Sequence, residues 1–186
     1  MEAINSAIAT ANTFIRGDQF FEWHGIVLSS CWLIGSVIAI LARRVSVQLH
    51  AILFFLIDAA TAFFIVGAML RVYPHIQANF DKWDLLKKGH FIGGGVFLVL
   101  LVIQHIGGVS TLLKGMKFNS SHRKLGYVVS NLGRFIAIGG QIIGHADTTI
   151  IYASVAISVI LFLGSTYKVF FAAESPSKPK PEKKSA

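Results

Sequence analysis

The sequence predicts an all-α integral membrane protein: a bundle of five transmembrane helices, the first four forming a core. Three observations predict it. The 186 residues are 54% hydrophobic and only 14% charged, with a mean hydropathy of +0.63, whereas soluble domains carry about 25% charge. Five stretches, near 20–42, 45–72, 89–114, 122–145 and 148–173, each supply the roughly 20 apolar residues that a span needs. None of them shows the polar stripe that a helix in a water-soluble bundle turns to solvent. The five stretches use most of the chain, so no separate soluble domain is expected.

Residues 1–19, "MEAINSAIATANTFIRGDQ", form a mixed lead that reads as a weak amphipathic helix in the membrane interface. The lead has no basic segment followed by an apolar run, so the first span is expected to act as the targeting signal. That span ends at "ARRVS". The second follows at once and is expected to stop near "RVYPH", because Pro74 cannot continue a helix. "YPHIQANFDKWDLLKKG" is the longest connection. The third span ends in "LLKGMKFNSS", where Ser120 or Ser121 is a candidate N-cap for the fourth. "GHADTT" joins the fourth to the fifth, with Asp147 or Thr148 as cap. The expected organisation is therefore a lead (1–19), a four-helix core (20–145), a fifth span (146–173) and a tail (174–186). The tail, "ESPSKPKPEKKSA", is rich in Pro, Lys and Ser and is expected to be disordered.

The formal charge is +8, but the basic residues cluster at helix ends and in the tail. That is topology information, and no nucleic-acid partner is expected. Let side 1 be the side of the lead. Arg43, Arg44, Lys114, Lys117, Arg123, Lys124, Lys168 and the tail lysines then fall on side 2, against Arg16, Arg71, Lys82, Lys87 and Lys88 on side 1. The bias makes side 2, with the C-terminus, cytoplasmic. A plasma membrane or endomembrane is expected rather than the mitochondrial inner membrane. Trp23, Tyr73 and Trp83 mark the side-1 interface, and Tyr127 and Tyr167 the side-2 interface. The single cysteine, Cys31, excludes an internal disulfide.

Four of the seven histidines share one position. His24, His50, His90 and His122 each sit near the N-terminal end of their own span. Because the spans alternate in direction, His24 and His90 fall at the side-1 level, and His50 and His122 at the side-2 level. The first and third helices lie diagonally in a four-helix bundle, as do the second and fourth, so each pair can point at a common centre. Haem iron takes axial imidazoles, and bundles hold such groups in their cores. A haem also needs a flat slot. At about 100° per residue, Gly126, Gly133, Gly140 and Gly144 fall within about 40° of His122, and Gly94 and Gly108 near His90. Cys31 and Gly35 lie similarly near His24, and Thr61 and Ala68 near His50. A lone histidine at a helix end is ordinarily interfacial, and glycine stripes ordinarily serve close packing. Four such histidines in alternating register, each above small residues, point to ligation instead. A metal-hydroxylase site would want His-x-x-x-His or similar clusters with carboxylates, which these helices lack.

The same residues resemble the cytochrome b561 family. "WHGIVLSSCWLIGSVIAILARR" is similar to that family's first core helix and "LHAILFFLIDAATAFFIVGA" to its second. "HFIGGGVFLVLLVIQHIGG" carries the His-x-x-x-Gly and downstream Gln of the third, as His90, Gly94 and Gln104. "HRKLGYVVSNLGRF" carries the His-x-x-x-Gly and downstream Asn of the fourth, as His122, Gly126 and Asn131. The resemblance covers about residues 20–145. It implies two b haems, one held by His24 and His90 and the other by His50 and His122, with electrons passing across the membrane. It further implies a cytosolic reductant such as ascorbate and an outer acceptor, monodehydroascorbate or ferric iron. Members commonly have six helices, and many relatives carry an outer domain before the core; neither feature is expected here.

Ligands about one turn inside a ~30 Å hydrocarbon layer place the irons roughly 20–25 Å apart. Haem propionates want cations: Arg43, Arg44, Arg123 and Lys124 on side 2, and Arg71, Lys87 and Lys88 on side 1, each of which positive-inside topology also explains. Gly94, Gly126 and Gly133 complete the expected cofactor surface. Asp58 and Arg134, the costly charges within spans, are expected to pair. His105 and Gln104 face the bundle deep in the membrane, whereas His75 and His145 fall in connections. The chain thus reads as a transmembrane oxidoreductase with a small-molecule donor and acceptor, alone, as a homodimer or in a larger membrane complex. The alternatives are a haem b anchor subunit of a respiratory complex linked to quinone, and a haem-free structural bundle.

Overall fold

The computed structural model describes residues 1–113 and 120–167; the tail and Lys114, Lys117 and Lys168 lie outside the described residues. Among these the fold is all-α, without strands. Helix α1 (Glu2–Arg16) is amphipathic, with Glu2 in its first turn and Arg16 in its last, charges that suit the helix dipole. It buries no residue fully. Only its C-terminal end is held, by Phe14 edge-on to Phe20 and Phe64.

Helix α2 (Phe20–Ala42) contains a π-helical segment, Ser30–Gly35. Helix α3 (Val47–Asn79) starts at the Ser46 cap, whose hydroxyl accepts from the Leu49 N–H at 3.2 Å. It runs through Pro74, past the predicted stop near 72, and so takes in His75. Pro74 is exposed near the end of the apolar run, where water can satisfy the carbonyl that proline leaves without a donor. A single 3₁₀ turn, Phe80–Lys82, leads to α4 (Leu85–Leu113). Helix α5 (Ser120–Ile143) has Ser120 as its first residue. It ends at Gly144 and at His145, whose φ of 54° is left-handed.

Helix α6 (Thr148–Thr166) is capped by Asp147, whose carboxylate accepts from the Thr149 N–H at 2.8 Å. That hydrogen bond holds the Asp147 carboxyl below its ordinary value. The cap's contribution is therefore present above the usual carboxylate range and is lost as pH falls through the lowered value. Asp147→Ala is expected to speed amide exchange at Thr149 and Ile150 near neutrality, and the difference from wild type should vanish in strong acid. A difference that persists there would mean the carboxylate is not the cap.

Among the described residues four helices are long and apolar enough to cross a membrane: Phe20–Ala42, Val47–Ile76, Leu85–Ser110 and Thr148–Thr166. Phe55, Val99 and Ile160 are 57%, 60% and 68% exposed on their outer faces. Apolar outer faces of this kind belong in lipid. This is a multi-pass membrane helical bundle. Helix α5 is not among the four: it carries His122, Arg123, Lys124, Asn131, Arg134 and Gln141.

Helices α2, α3, α4 and α5 pack in a ring, each against the next and α5 back against α2, with α6 outside against α5. Helices α2 and α4 are therefore diagonal, and so are α3 and α5. The centre of the ring is filled by Trp32, Phe97, Leu101, Val129, Ile57 and Phe64, all buried.

Candidate functional site

Two cavities open above and below this central layer, of about 830 and 930 Å³. Pockets for cofactors run from about 300 to 1,000 Å³. His24 and His90, from diagonal helices α2 and α4, line the smaller. His50 and His122, from diagonal helices α3 and α5, line the larger. The alternation of helix direction and the ring order together produce this division.

The side-1 pair is well defined. The rings of His24 and His90 have centroids 6.4 Å apart and planes 71° apart. Two metal–imidazole bonds of about 2 Å and two ring radii of roughly 1.1 Å total about 6.2 Å. The spacing thus suits one metal atom between them. His24 Nδ1 lies 3.1 Å from the Phe64 carbonyl oxygen, and His50 Nδ1 lies 2.8 Å from that of Ala39. A ring nitrogen facing a carbonyl must donate, which leaves Nε2 with its lone pair. Ligating histidines are commonly oriented this way. His90 Nδ1 is buried beside the Ile136 backbone without a hydrogen bond of normal geometry. Gln104 holds His122: its amide nitrogen donates to the His122 carbonyl at 3.1 Å and lies 3.4 Å from His122 Nε2. Ligation through Nε2 requires that last contact to be given up.

Helices α4 and α5 seat each other's histidines. A Cβ on Gly140 of α5 would lie 3.0 Å from His90 Cε1, and one on Gly108 of α4 would lie 3.1 Å from His122 Cε1. Each histidine is 18 positions before the glycine on its own helix that receives the other's ring. Eighteen residues span about 27 Å, close to the apolar thickness of a bilayer. The glycine lane of α5 lines both cavities, Gly126 the side-2 and Gly133 and Gly140 the side-1, and each glycine also receives a side chain from another helix. Gly126 admits the Gln104 amide, Gly133 admits Trp32, and Gly140 admits His90. Gly25 and Gly94 are the glycines that face open space in the side-1 cavity.

The register along α2 also differs from a uniform helical wheel. Trp32 lines the side-1 cavity, but Cys31 and Gly35 do not, and Gly35 packs on Ile57. The π-helical segment adds residues to the turn and rotates the remainder of the helix. Thr61 and Ala68, expected near His50, line the side-1 cavity instead. Trp32 is 1% exposed, donates from Nε1 to Thr61 Oγ1 at 2.9 Å, and meets Phe97 edge-on at 4.8 Å. It stands between the cavities, a role for which an isolated Trp in an apolar span gives little signal.

Arg43, Arg44 and Arg123 line the side-2 cavity and Lys87 the side-1 cavity. Arg71, Lys88 and Lys124 do not. Arg71 donates to the carbonyls of Ile15 and Gly17, closing the C-terminal end of α1, and stacks on Phe21. Lys88 donates to the Asp81 carbonyl. Asp58 and Arg134 do not pair. They stand on diagonal helices, so each turns to a neighbour: Asp58 Oδ2 to His105 Nδ1 at 3.0 Å, and Arg134 to Asn131 Oδ1 at 2.8 Å and Ser36 Oγ at 3.3 Å. Among the described residues no three His, Cys, Asp or Glu side chains gather around one point; His24 and His90 line the side-1 cavity, and His50, His122 and the Asp58-bound His105 line the side-2 cavity.

The fold and the cavities define a class, a multi-pass helical bundle with histidines from diagonal helices facing each of two internal cavities. Comparison with family models, curated proteins and solved structures finds no match for the chain.

Proposed function

We propose that the chain is a cytochrome b561-like electron carrier that passes electrons across a membrane through two b-type haems. His24 and His90 would hold one, and His50 and His122 the other. The single observation that carries the proposal is the division of four histidines into one diagonal pair per cavity, with the side-1 rings at metal-bridging spacing. On this reading α5 is a fifth span that turns its polar residues inward: Ser130 and Arg134 are buried, while Val128 and Phe135 face outward. The C-terminus is then on the side opposite α1, the cytoplasmic side by its charge.

Bound at these pairs, each haem supplies a one-electron couple. The chain's own residues do the rest. The carbonyls of Phe64 and Ala39 orient two imidazoles. Gly108 and Gly140 let the other two rings approach the opposite helix. The packed layer around Trp32 excludes water between the cavities. Arg43, Arg44 and Arg123 give the side-2 cavity a positive mouth suited to propionates or to an anionic reductant such as ascorbate.

Purified protein is expected to show two low-spin haems per chain by pyridine haemochrome assay and to be reduced rapidly by ascorbate. Two haems that ascorbate leaves oxidised would replace ascorbate as donor and keep the carrier. A folded protein, expressed with haem supplied, that binds none would end the proposal.

A further inference from the structure

Asp58 and His105 lie inside the α3 and α4 spans, and their contact is an isolated acidic pair within the membrane. One carboxylate oxygen meets the imidazole at 3.0 Å. The other, Oδ1, is buried and has no hydrogen-bond partner among the described residues. A bare carboxylate at such a depth is costly unless a nearby positive charge offsets it, so loss of such a charge favours the pair taking one proton and becoming neutral. Both residues line the side-2 cavity with His50 and His122. The His105 side chain is 36% exposed against 14% for Asp58, so the imidazole is the more open member of the pair.

The other titratable or charged groups around this cavity are Arg43 and Arg44 from α2, His50 from α3, and His122, Arg123 and Tyr127 from α5. Cys31 of α2 is also in electrostatic contact with Asp58. Arginine side chains stay charged at all accessible pH, and cysteine and tyrosine ordinarily titrate above about pH 8. An imidazole that ligates a metal through one nitrogen and donates through the other has no site left for a proton. Asp58, held by His105 and with one carboxylate oxygen unbonded among the described residues, remains as the group of this cavity with a free site for a proton.

We infer that the Asp58–His105 pair is the proton partner of the redox site at His50 and His122. Electron gain there draws one proton from the side-2 solution onto the pair. The inference rests on the proposed haem ligation. The balance is one electron in and one proton in. A one-electron donor is oxidised, an O–H or N–H bond forms on the pair, no other bond changes, and the cavity's net charge is constant. The low dielectric of the span makes this compensation effective across the cavity.

The test is a redox titration of the full chain in lipid nanodiscs, with soluble one-electron mediators, from pH 5.5 to 8. The side-2 haem is identified as the one lost in His122→Ala. Its midpoint is expected to fall by about 59 mV for each tenfold drop in proton concentration, the one-proton, one-electron slope. Asp58→Asn should flatten that slope and abolish proton uptake seen by a pH indicator in weak buffer. Asp58→Glu should restore both, and the side-1 haem should keep its own pH dependence in every variant. A side-2 midpoint independent of pH in wild type, or a slope unchanged in Asp58→Asn, overturns the inference and leaves the carrier standing. Absence of haem in folded wild-type protein removes both.

Discussion

Replacing His90 with alanine is expected to halve the haem content, from two to one per chain, and replacing His24 is expected to remove the same haem. The expectation follows from the shared side-1 cavity and the 6.4 Å ring spacing. His50→Ala and His122→Ala should remove the other haem. Spectra at low temperature or midpoint potentials tell the two apart. The His24→Ala/His90→Ala double variant should keep the side-2 haem. If His24→Ala and His90→Ala removed different haems, the division into diagonal pairs would be wrong. His105→Gln is the control, because His105 is held by Asp58 and is expected to leave two haems in place.

The second large effect concerns the layer between the cavities. A Cβ at Gly133 would lie 2.7 Å from the Trp32 ring and 3.0 Å from Phe97 Cζ. The indole cannot easily retreat. Its N–H is bonded to Thr61, its face meets Phe97, and both it and Thr61 are essentially unexposed. Overpacking a rigid core costs about 1–3 kcal/mol and sometimes more, while the helical gain of Gly→Ala is at most about 1 kcal/mol. Gly133→Val should therefore destabilise, by about 1–3 kcal/mol or more on the same grounds. Trp32→Phe placed with it should recover part of the loss, because neighbours that share a contact are not additive. Gly94→Ala is the comparison: its Cβ would meet nothing within 4 Å. Denaturant unfolding in detergent measures all of these. Equal stability of Gly133→Val and Gly94→Ala would sink the wedge.

Much of the site is legible in the sequence because it arises from two simple periodicities. Alternating helix direction puts His24 and His90 at one level and His50 and His122 at the other, and ring order makes each pair diagonal. Neither step needs a side-chain contact. The Asp147 cap is legible for the same local reason. The departures have one origin, which is that charge and glycine positions do not say which neighbour they face. Asp58 and Arg134 match in depth and are opposite in charge, yet their helices are separated by the central core. Arg71 reads as a cation near a membrane surface, but it closes α1. Cys31 and Gly35 share a face with His24 only on a uniform wheel, which the π-helical segment of α2 breaks.

By itself the sequence determined the class of the molecule and the level of each histidine, because apolar length and helix direction are properties of single segments. Only the tertiary structure decided what the glycines are for. Glycine marks the absence of a side chain, and what fills the gap comes from another helix. On α5 the three evenly spaced glycines receive Gln104, Trp32 and His90 in turn, so the lane beneath His122 belongs to its neighbours. The ring that rests on Gly108 is His122 itself.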